Sequence, residues 1–438
     1  MSGVASRRAY RPLIAELVFA GLAGTVVNSS VTVAVAAIAE DFDASVSDVA
    51  VVVVLLNVSM AFLMPLTGLA VRAFGSRRVL MAAGALVAAS SLLLSLSPGL
   101  PTLGLARVLQ GAGLAAVVPT SVQVTTQLLD DVDRGRALGW WAASNGLGLA
   151  FAPLIGGLLV DLAGWRWVTI PSILLGVGLV VTARLGIPRD LQHDPGVPTG
   201  TVLALGLMTG TLMSALAALS AEGWAAAAVL ALVFVLAVTL AWVTRSRTAV
   251  LVVGWYRDRG VRRTSLGAGL QMVANGMVQI TVPAWLITTG ILTGGPAGAV
   301  LMAMTLTMAA MGPLTGRASG VPFVRWLRRG LLGCAVGLAG VAAATVGTWW
   351  IVVPFLVVLG LGAGSLLSPS LTGFSHTAAG ANAIGLSVFN VLRLSSFAVG
   401  ALIGATALDV GRPGLAFGIL SVVCAVSWLA TLAGRARA

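Results

Sequence analysis

The chain has 438 residues, of which 58% are hydrophobic and 9% are charged. Water-soluble domains carry about a quarter charged residues, so this composition excludes an ordinary soluble protein and leaves most of the surface facing lipid. The formal net charge is +12, and the sequence contains no lysine, so its permanent positive charge comes entirely from arginine.

Continuous apolar runs of about 20 residues, the length that crosses a bilayer as a helix, recur along the whole chain. They exclude a membrane barrel, whose strands alternate apolar and polar residues over about ten positions. We therefore predict an all-α integral membrane protein with about fourteen membrane-spanning helices. The predicted spans lie near residues 12–38, 46–70, 79–97, 101–127, 136–160, 167–187, 199–219, 223–243, 262–289, 297–315, 330–347, 349–372, 381–408 and 413–433.

Arginine is concentrated in alternate predicted loops, whereas the first loop on the other side carries Glu40, Asp41, Asp43 and Asp48. Cytoplasmic loops of membrane proteins are enriched in basic residues, so this asymmetry predicts an even number of spans with both termini in the cytoplasm. The basic charge therefore indicates topology and not a nucleic-acid interface. The arginine-only, alanine- and glycine-rich usage favours a bacterial source, and hence the bacterial cell (inner) membrane.

The sequence contains a short internal repeat. Pro65–Gly68 ends the second predicted span and Pro313–Gly316 ends the tenth, each reading PLTG and each followed by an arginine-bearing loop. Transporters commonly consist of two such repeats. We predict two pseudo-symmetric six-helix bundles, residues 1–190 and 246–438, with two inserted linker helices within 191–245.

Three stretches carry recognisable patterns. The second span is followed by GLAVRAFGSRR (Gly68–Arg78), the fourth contains ARVLQGAG (Ala106–Gly113), and the fifth contains GLAFAPLIGG (Gly148–Gly157). They resemble the elements G-x-L-A-D-R-x-G-R-R, R-x-x-Q-G-x-G and G-x-x-x-G-P-x-x-G-G of the major facilitator superfamily, in its fourteen-helix drug:proton antiporter branch. The third element is typical of exporters in that branch.

The resemblance implies a conformational role for the motif residues Gly68, Arg72, Gly75, Arg77, Gln110, Gly111, Gly148, Pro153, Gly156 and Gly157. Arg72 stands where the family has an acid that helps to latch one state, and Ala152 stands where it has a glycine. Proline removes a helical hydrogen bond, and glycines allow close helix packing.

The first span contains TVVN (Thr25–Asn28), which resembles a branch element with an aspartate where this chain has Ala23. Glu16, seven residues earlier and therefore on the same helix face, is the one acid within a predicted span apart from Asp48, which belongs to the cap of the second span. One hypothesis gives Glu16 the proton-binding role; the alternative is a pairing near the inner interface. Arg107 is costly inside a span, which marks it either as part of the proton pathway or as a structural group that binds backbone carbonyls.

Gln271, Asn275 and Gln279 recur every four residues and therefore lie along one face of the ninth span. Amides are costly in contact with lipid, so these three either line a substrate cavity or form interhelical hydrogen bonds. Further cavity candidates are Asn28, Gln123, Gln127, Trp141, Asn145, Asn390 and Arg393. The amides, tryptophans and methionines suit an amphipathic organic substrate.

An enzyme is disfavoured. Without lysine there is no P-loop and no Schiff-base residue, and His193 and His376 are the only histidines. We predict no catalytic residues, metal, cofactor, nucleotide or nucleic-acid partner. The sequence indicates a secondary transporter that exports a small amphipathic compound or antibiotic across the bilayer by proton antiport and alternating access. The alternatives are a facilitator or importer of a metabolite, and a non-transporting receptor on the same fold.

Overall fold

The computed structural model describes residues 4–129, 131–188, 257–317, 323–345, 347–375, 377 and 383–433, and these ranges contain α- and 3₁₀-helices but no strand. In the first half the α-helices are α1 (Val4–Val33), α2 (Val35–Asp41), α3 (Val46–Leu63), α4 (Thr67–Phe74), α5 (Ser76–Ser95), α6 (Leu100–Leu128), α7 (Asp131–Ala163) and α8 (Ile170–Gly186). In the second half they are α9 (Arg259–Thr288), α10 (Gly294–Arg317), α11 (Phe323–Ala344), α12 (Val352–Ser375), α13 (Ala383–Asp409) and α14 (Pro413–Ala433).

The predicted all-α membrane fold is confirmed. Within the described ranges, 11 helices are long and apolar enough to cross a bilayer, and a further apolar helix, Val46–Ala61, is shorter. They correspond to every predicted span except those at 199–219 and 223–243. These two, with the predicted inserted pair at 191–245, lie outside the described residues.

Two predicted spans are divided by local breaks. The first, 12–38, is interrupted at Ala34 between α1 and α2, and the second, 46–70, is interrupted by a 3₁₀ turn at Met64–Leu66. Pro65 lies in that turn, where its missing N–H and fixed φ disfavour a continuous α-helix. Gly75 separates α4 from α5 with φ of 81°, a left-handed conformation that glycine adopts without strain.

The described residues form two compact units. Unit 1 contains the described residues up to Phe42 together with 52–188, and unit 2 contains Asp43–Val51 together with the described residues from 257 onward. Each unit has its own helix packing, and each is described separately below.

In unit 1, glycines bring α1 and α7 into close contact. A Cβ added at Gly156 would lie 2.6 Å from the carbonyl oxygen of Ser30, and one added at Gly148 would collide with the Thr25 side chain. Small residues at such positions let helix backbones approach closely where lipid supplies no hydrophobic drive for association. The glycines of the fifth-span motif therefore fix α7 against the first helix.

Unit 2 uses the same device between α9 and α13. A Cβ at Gly276 would collide with the carbonyl oxygen of Phe397, and one at Gly400 would collide with that of Val273. Both helices thus approach each other through backbone, and each contributes one glycine.

We predict that Gly156→Ala destabilises the protein and that Gly418→Ala does not. The added methyl at position 156 meets the backbone oxygen of Ser30, which cannot move without shifting α1, whereas nothing lies within 4 Å of a Cβ at Gly418. Overpacking of this kind costs about 1–3 kcal/mol. Thermal unfolding of the purified proteins in detergent measures the effect, and equal apparent Tm values for the two variants would contradict it.

Candidate functional site

A buried guanidinium lies at the centre of unit 1. Arg107 of α6 is 0% exposed. Its Nη1 donates to the carbonyl oxygen of Val27 on α1 and to Oε1 of Gln110, both at 3.0 Å. Its Nη2 donates to the carbonyl oxygen of Val53 on α3 at 3.1 Å and approaches Oδ1 of Asn28 at 3.5 Å. One side chain therefore connects three helices.

The contacts continue beyond Arg107. Gln110 Nε2 donates to Ser91 Oγ on α5 at 2.8 Å, and Asn57 Nδ2 on α3 donates to Asn28 Oδ1 at 3.3 Å. We call Asn28, Asn57, Ser91, Arg107 and Gln110 the arginine cluster. All its other members are neutral, so among the described residues the positive charge is compensated by carbonyl and amide dipoles.

This geometry corresponds to the structural alternative that the sequence left open for Arg107, in which the arginine binds backbone carbonyls. A buried charge is tolerated only where hydrogen bonds replace its hydration. Its role in proton coupling stays a prediction.

Glu16 of α1 is also completely buried. Its Oε1 lies 2.6 Å from Ser121 Oγ on α6, and Ser121 Oγ lies 2.7 Å from the carbonyl oxygen of Val117. Its Oε2 has no hydrogen-bond partner among the described residues. A carboxyl group is thus enclosed within unit 1 with one oxygen uncommitted.

Glu16 and Arg107, predicted together as proton-coupling residues, are not adjacent. Ser121, the partner of Glu16, is fourteen positions beyond Arg107 on α6, or about 21 Å along the helix at 1.5 Å per residue. They mark opposite ends of the α1–α6 contact, and Ala20, Ala23 and Val27 form an apolar core between them.

The other cavity candidates of unit 1 are dispersed. Asn145 Nδ2 lies 3.5 Å from the carbonyl oxygen of Gly21. Trp141 is partly buried, and its Nε1 finds no acceptor among the described residues. Gln123 and Gln127 are exposed towards the end of α6. The structure does not gather these four side chains into one site.

In unit 2, the amide stripe of α9 is buried, as its spacing requires. Gln271 is 0%, Asn275 7% and Gln279 2% exposed. Gln279 Nε2 donates to Asn275 Oδ1 at 2.8 Å within the helix, and Gln271 Nε2 approaches Met308 Sδ of α10 at 3.8 Å. The oxygens Gln271 Oε1 and Gln279 Oε1 have no partner among the described residues. Interhelical bonding thus involves one of the three amides.

Asn390 and Arg393 lie three residues apart on α13. Both are partly buried, and Arg393 Nη1 lies 3.5 Å from Asn390 Oδ1.

The loop motif after the second span lies across α4 and the start of α5. Gly68 and Arg72 belong to α4, and the side chain of Arg72 lies outside the described residues. Gly75 forms the break described above, and Arg77 is partly buried in α5.

Sequence reasoning missed Ser121, Asn57 and Ser91. Serine and asparagine are ordinary in membrane helices, so no local signal distinguishes these three. Their importance comes from the distant residues that they contact.

The chain also matches a known protein family. The family model of the Major Facilitator Superfamily matches residues 17–244, more than half of the chain. The chain belongs to the Major Facilitator Superfamily. It is a multi-pass membrane protein, and its relatives include proteins described as multidrug and antibiotic transporters, in keeping with the resemblance that the motifs carry.

Three relatives illustrate the similarity. This superfamily member is 30% identical over 174 residues to the multidrug export protein EmrB of Haemophilus influenzae, covering 39% of this chain and 34% of that protein. It is 27% identical over 371 residues to a probable actinorhodin transporter of Streptomyces coelicolor, covering 79% and 62%. It is 25% identical over 344 residues to the putative multidrug resistance protein MdtD of Escherichia coli, covering 76% and 71%. The match thus covers about a third of the length of the first relative and under two thirds of the length of the second.

Among solved structures, the peptide transporter POT in complex with sulfate superposes with a TM-score of 0.77 at 15% identity, covering 98% of this chain and 94% of that one. At this identity the likeness concerns the fold alone.

We predict that Arg107→Lys destabilises this superfamily member. Lysine keeps the charge, but its single nitrogen cannot reach the carbonyl oxygens of Val27 and Val53 as the two guanidinium nitrogens do. Each buried acceptor left unpaired costs about 1–3 kcal/mol. The apparent Tm in detergent measures the loss. Arg78→Lys, at an exposed position of α5, is the matched control, and equal Tm values for the two variants would exclude a structural role.

Proposed function

We propose that this protein is a secondary active transporter that exports a small amphipathic organic compound or antibiotic by proton antiport. In this proposal the protein lies in the bilayer and transports two species, the small molecule and the proton. No residue is assigned a catalytic role, and no cofactor or metal is required.

The observation that carries proton coupling is the enclosed carboxyl group of Glu16. An acid inside a membrane protein is costly, and such acids mark ion and proton pathways. This one lies on the helix face where the antiporter branch has an aspartate, two turns from Ala23. It therefore supplies an acid near the place where the branch element has lost one.

Two arrangements of protons fit the distances around Glu16. When Glu16 is ionised, the Ser121 hydroxyl donates to Oε1 at 2.6 Å. When Glu16 is protonated, its own O–H can donate to Ser121 Oγ, which then donates to the carbonyl oxygen of Val117 at 2.7 Å. The same heavy-atom positions thus accommodate both protonation states, as a reversible proton carrier requires.

Export is supported by two independent considerations. The fifth-span motif with Pro153 is typical of exporters in the antiporter branch. The relatives named above are described as a multidrug export protein, a multidrug resistance protein and a probable actinorhodin transporter. Those descriptions belong to the relatives, and this protein's cargo and direction are part of the proposal.

We also propose that the protein works by alternating access between two six-helix bundles, with an inserted pair of helices at 191–245. The arginine distribution supports a bacterial inner-membrane location with both termini in the cytoplasm. A facilitator remains the second candidate, favoured by the absence of the branch aspartate from the first span.

We expect Glu16→Gln to abolish gradient-driven transport, because glutamine keeps the shape of the side chain and cannot carry a proton at the carboxyl position. Everted membrane vesicles with an imposed pH gradient and a panel of fluorescent dyes and antibiotics measure uptake. Wild-type uptake should collapse on addition of a protonophore. The variant should fall to the level seen without a gradient.

Two variants control this experiment. Glu16→Asp keeps a titrating carboxyl group one methylene further from Ser121 and should retain part of the activity. Glu40→Gln removes an exposed acid and should leave uptake unchanged. Undiminished gradient-driven uptake by Glu16→Gln would refute proton coupling through this residue, and wild-type uptake only down the compound's own gradient would identify a facilitator.

A further inference from the structure

Unit 2 contains a guanidinium group that its surroundings leave largely unpaired. Arg393 lies within α13, about 15 Å from Ala383 and about 24 Å from Asp409 along the helix at 1.5 Å per residue. The hydrogen bond that the described residues offer it is the 3.5 Å contact with Asn390. A guanidinium has five N–H donors in a planar fork, so the described residues use little of its hydrogen-bonding capacity.

No described acid neutralises Arg393. The described acids of unit 2 all lie at or beside helix termini, namely Asp43, Asp48, Asp258 and Asp409. Asp258 caps α9 by accepting from the backbone amide of Gly260 at 2.7 Å. Asp409 accepts from the backbone amides at the start of α3, at 3.1 and 2.9 Å. Among the described residues, no carboxylate forms an ion pair with Arg393.

The packing beside Arg393 leaves room. Ser396, three residues later on α13, faces Gly269 of α9. A Cβ added at Gly269 would have Ser396 Oγ at 3.5 Å and no other described neighbour within 4 Å. Gly276 and Gly400, further along the same two helices, instead lie against backbone. Gly269 therefore presents no side chain to Ser396, and the described helices pack loosely at this point.

Arg107 differs from Arg393 in both respects. Arg107 is completely buried, and four hydrogen-bond contacts occupy its terminal nitrogens. Arg393 is partly exposed and has one long contact. Of these two arginines, Arg393 is the one that retains exposed surface and hydrogen-bonding capacity among the described residues.

The charged residues well inside the predicted spans carry a net positive charge. More than three residues from the ends of these spans lie two arginines, Arg107 and Arg393, and one acid, Glu16, which becomes neutral whenever it binds a proton. In a low-dielectric interior an unpaired cation strongly favours an anionic partner and opposes a second cation. Arginine also matches carboxylate geometry through two parallel hydrogen bonds.

We infer that the cargo is an organic anion, an amphipathic carboxylate or sulfonate, and that Arg393 binds its charged group. This inference rests on the proposed export function and narrows its substrate class. It makes the protein selective for anions over cations of the same size and shape.

The test uses two dyes that share a xanthene ring system and differ in charge, the anion carboxyfluorescein and the cation rhodamine 123. Uptake of each is measured in everted vesicles with a pH gradient, and binding is measured by fluorescence polarisation with the full-length protein in detergent. We expect the wild type to take up and bind carboxyfluorescein in preference to rhodamine 123. Arg393→Gln should weaken carboxyfluorescein binding by about ten- to a hundredfold, the usual effect of losing a charge-assisted hydrogen bond.

Two variants separate recognition from folding. Arg393→Lys keeps the charge and should retain intermediate binding, whereas a purely structural arginine would show no such rescue. Arg325→Gln removes an exposed arginine of α11 and should leave the dye preference unchanged. The apparent Tm of Arg393→Gln should equal that of the wild type, because the side chain has one weak partner to lose.

The outcomes are distinguishable. Wild-type preference for rhodamine 123 would overturn the anion inference and leave export intact, and unchanged carboxyfluorescein binding by Arg393→Gln would remove Arg393 from recognition. Uptake and binding of neither dye would overturn the proposed export together with this inference.

Discussion

The hydrogen bonding of Arg107 is the constraint on which the architecture of unit 1 depends. A guanidinium placed among membrane helices must recover its hydration from protein groups, and here it takes carbonyl oxygens from α1 and α3 while Gln110 extends the contact to α5. These partners come from four helices, so their mutual positions are determined by one side chain. The surrounding apolar core includes Ala20, Val27 and Leu56. Its packing contacts are not directional, so they do less than the hydrogen bonds to fix the orientation of the helices.

Much of the fold could be predicted from the sequence, because span length and hydropathy are local properties. The break at Ala34 was not predicted, because the apolar sequence is continuous there, and the break at Met64–Leu66 was missed although Pro65 is a local signal for it. Helix neighbours were also beyond prediction. Gly156 looks the same in the sequence whether it faces lipid or the carbonyl oxygen of Ser30, and only the tertiary structure distinguishes the two.

The candidate site divides in the same way. Glu16 could be found by listing the acids of the sequence, because an acid well inside a span is energetically costly and therefore stands out. Its partner Ser121 is 105 positions away and chemically ordinary, so no sequence pattern connects the two. The amides Asn275 and Gln279 were correctly placed on one helix face, yet the sequence left open whether they meet each other or a cavity. The sequence shows which buried residues need a hydrogen-bond partner. Which residue supplies it depends on the tertiary structure.

The glycine contacts between α1 and α7 bear on which movements are fast and which are slow. Side chains change rotamer within nanoseconds, whereas displacement of whole packed helices takes microseconds to milliseconds. Where backbone rests on backbone, as at Gly156 and Ser30, no rotamer change can absorb a displacement, so the two helices must travel as one body. At the α1–α6 contact, Glu16 and Ser121 meet through side chains, which can rearrange on the shorter timescale. Movement between α1 and α6 at this point can therefore begin with side chains, whereas movement between α1 and α7 requires whole helices.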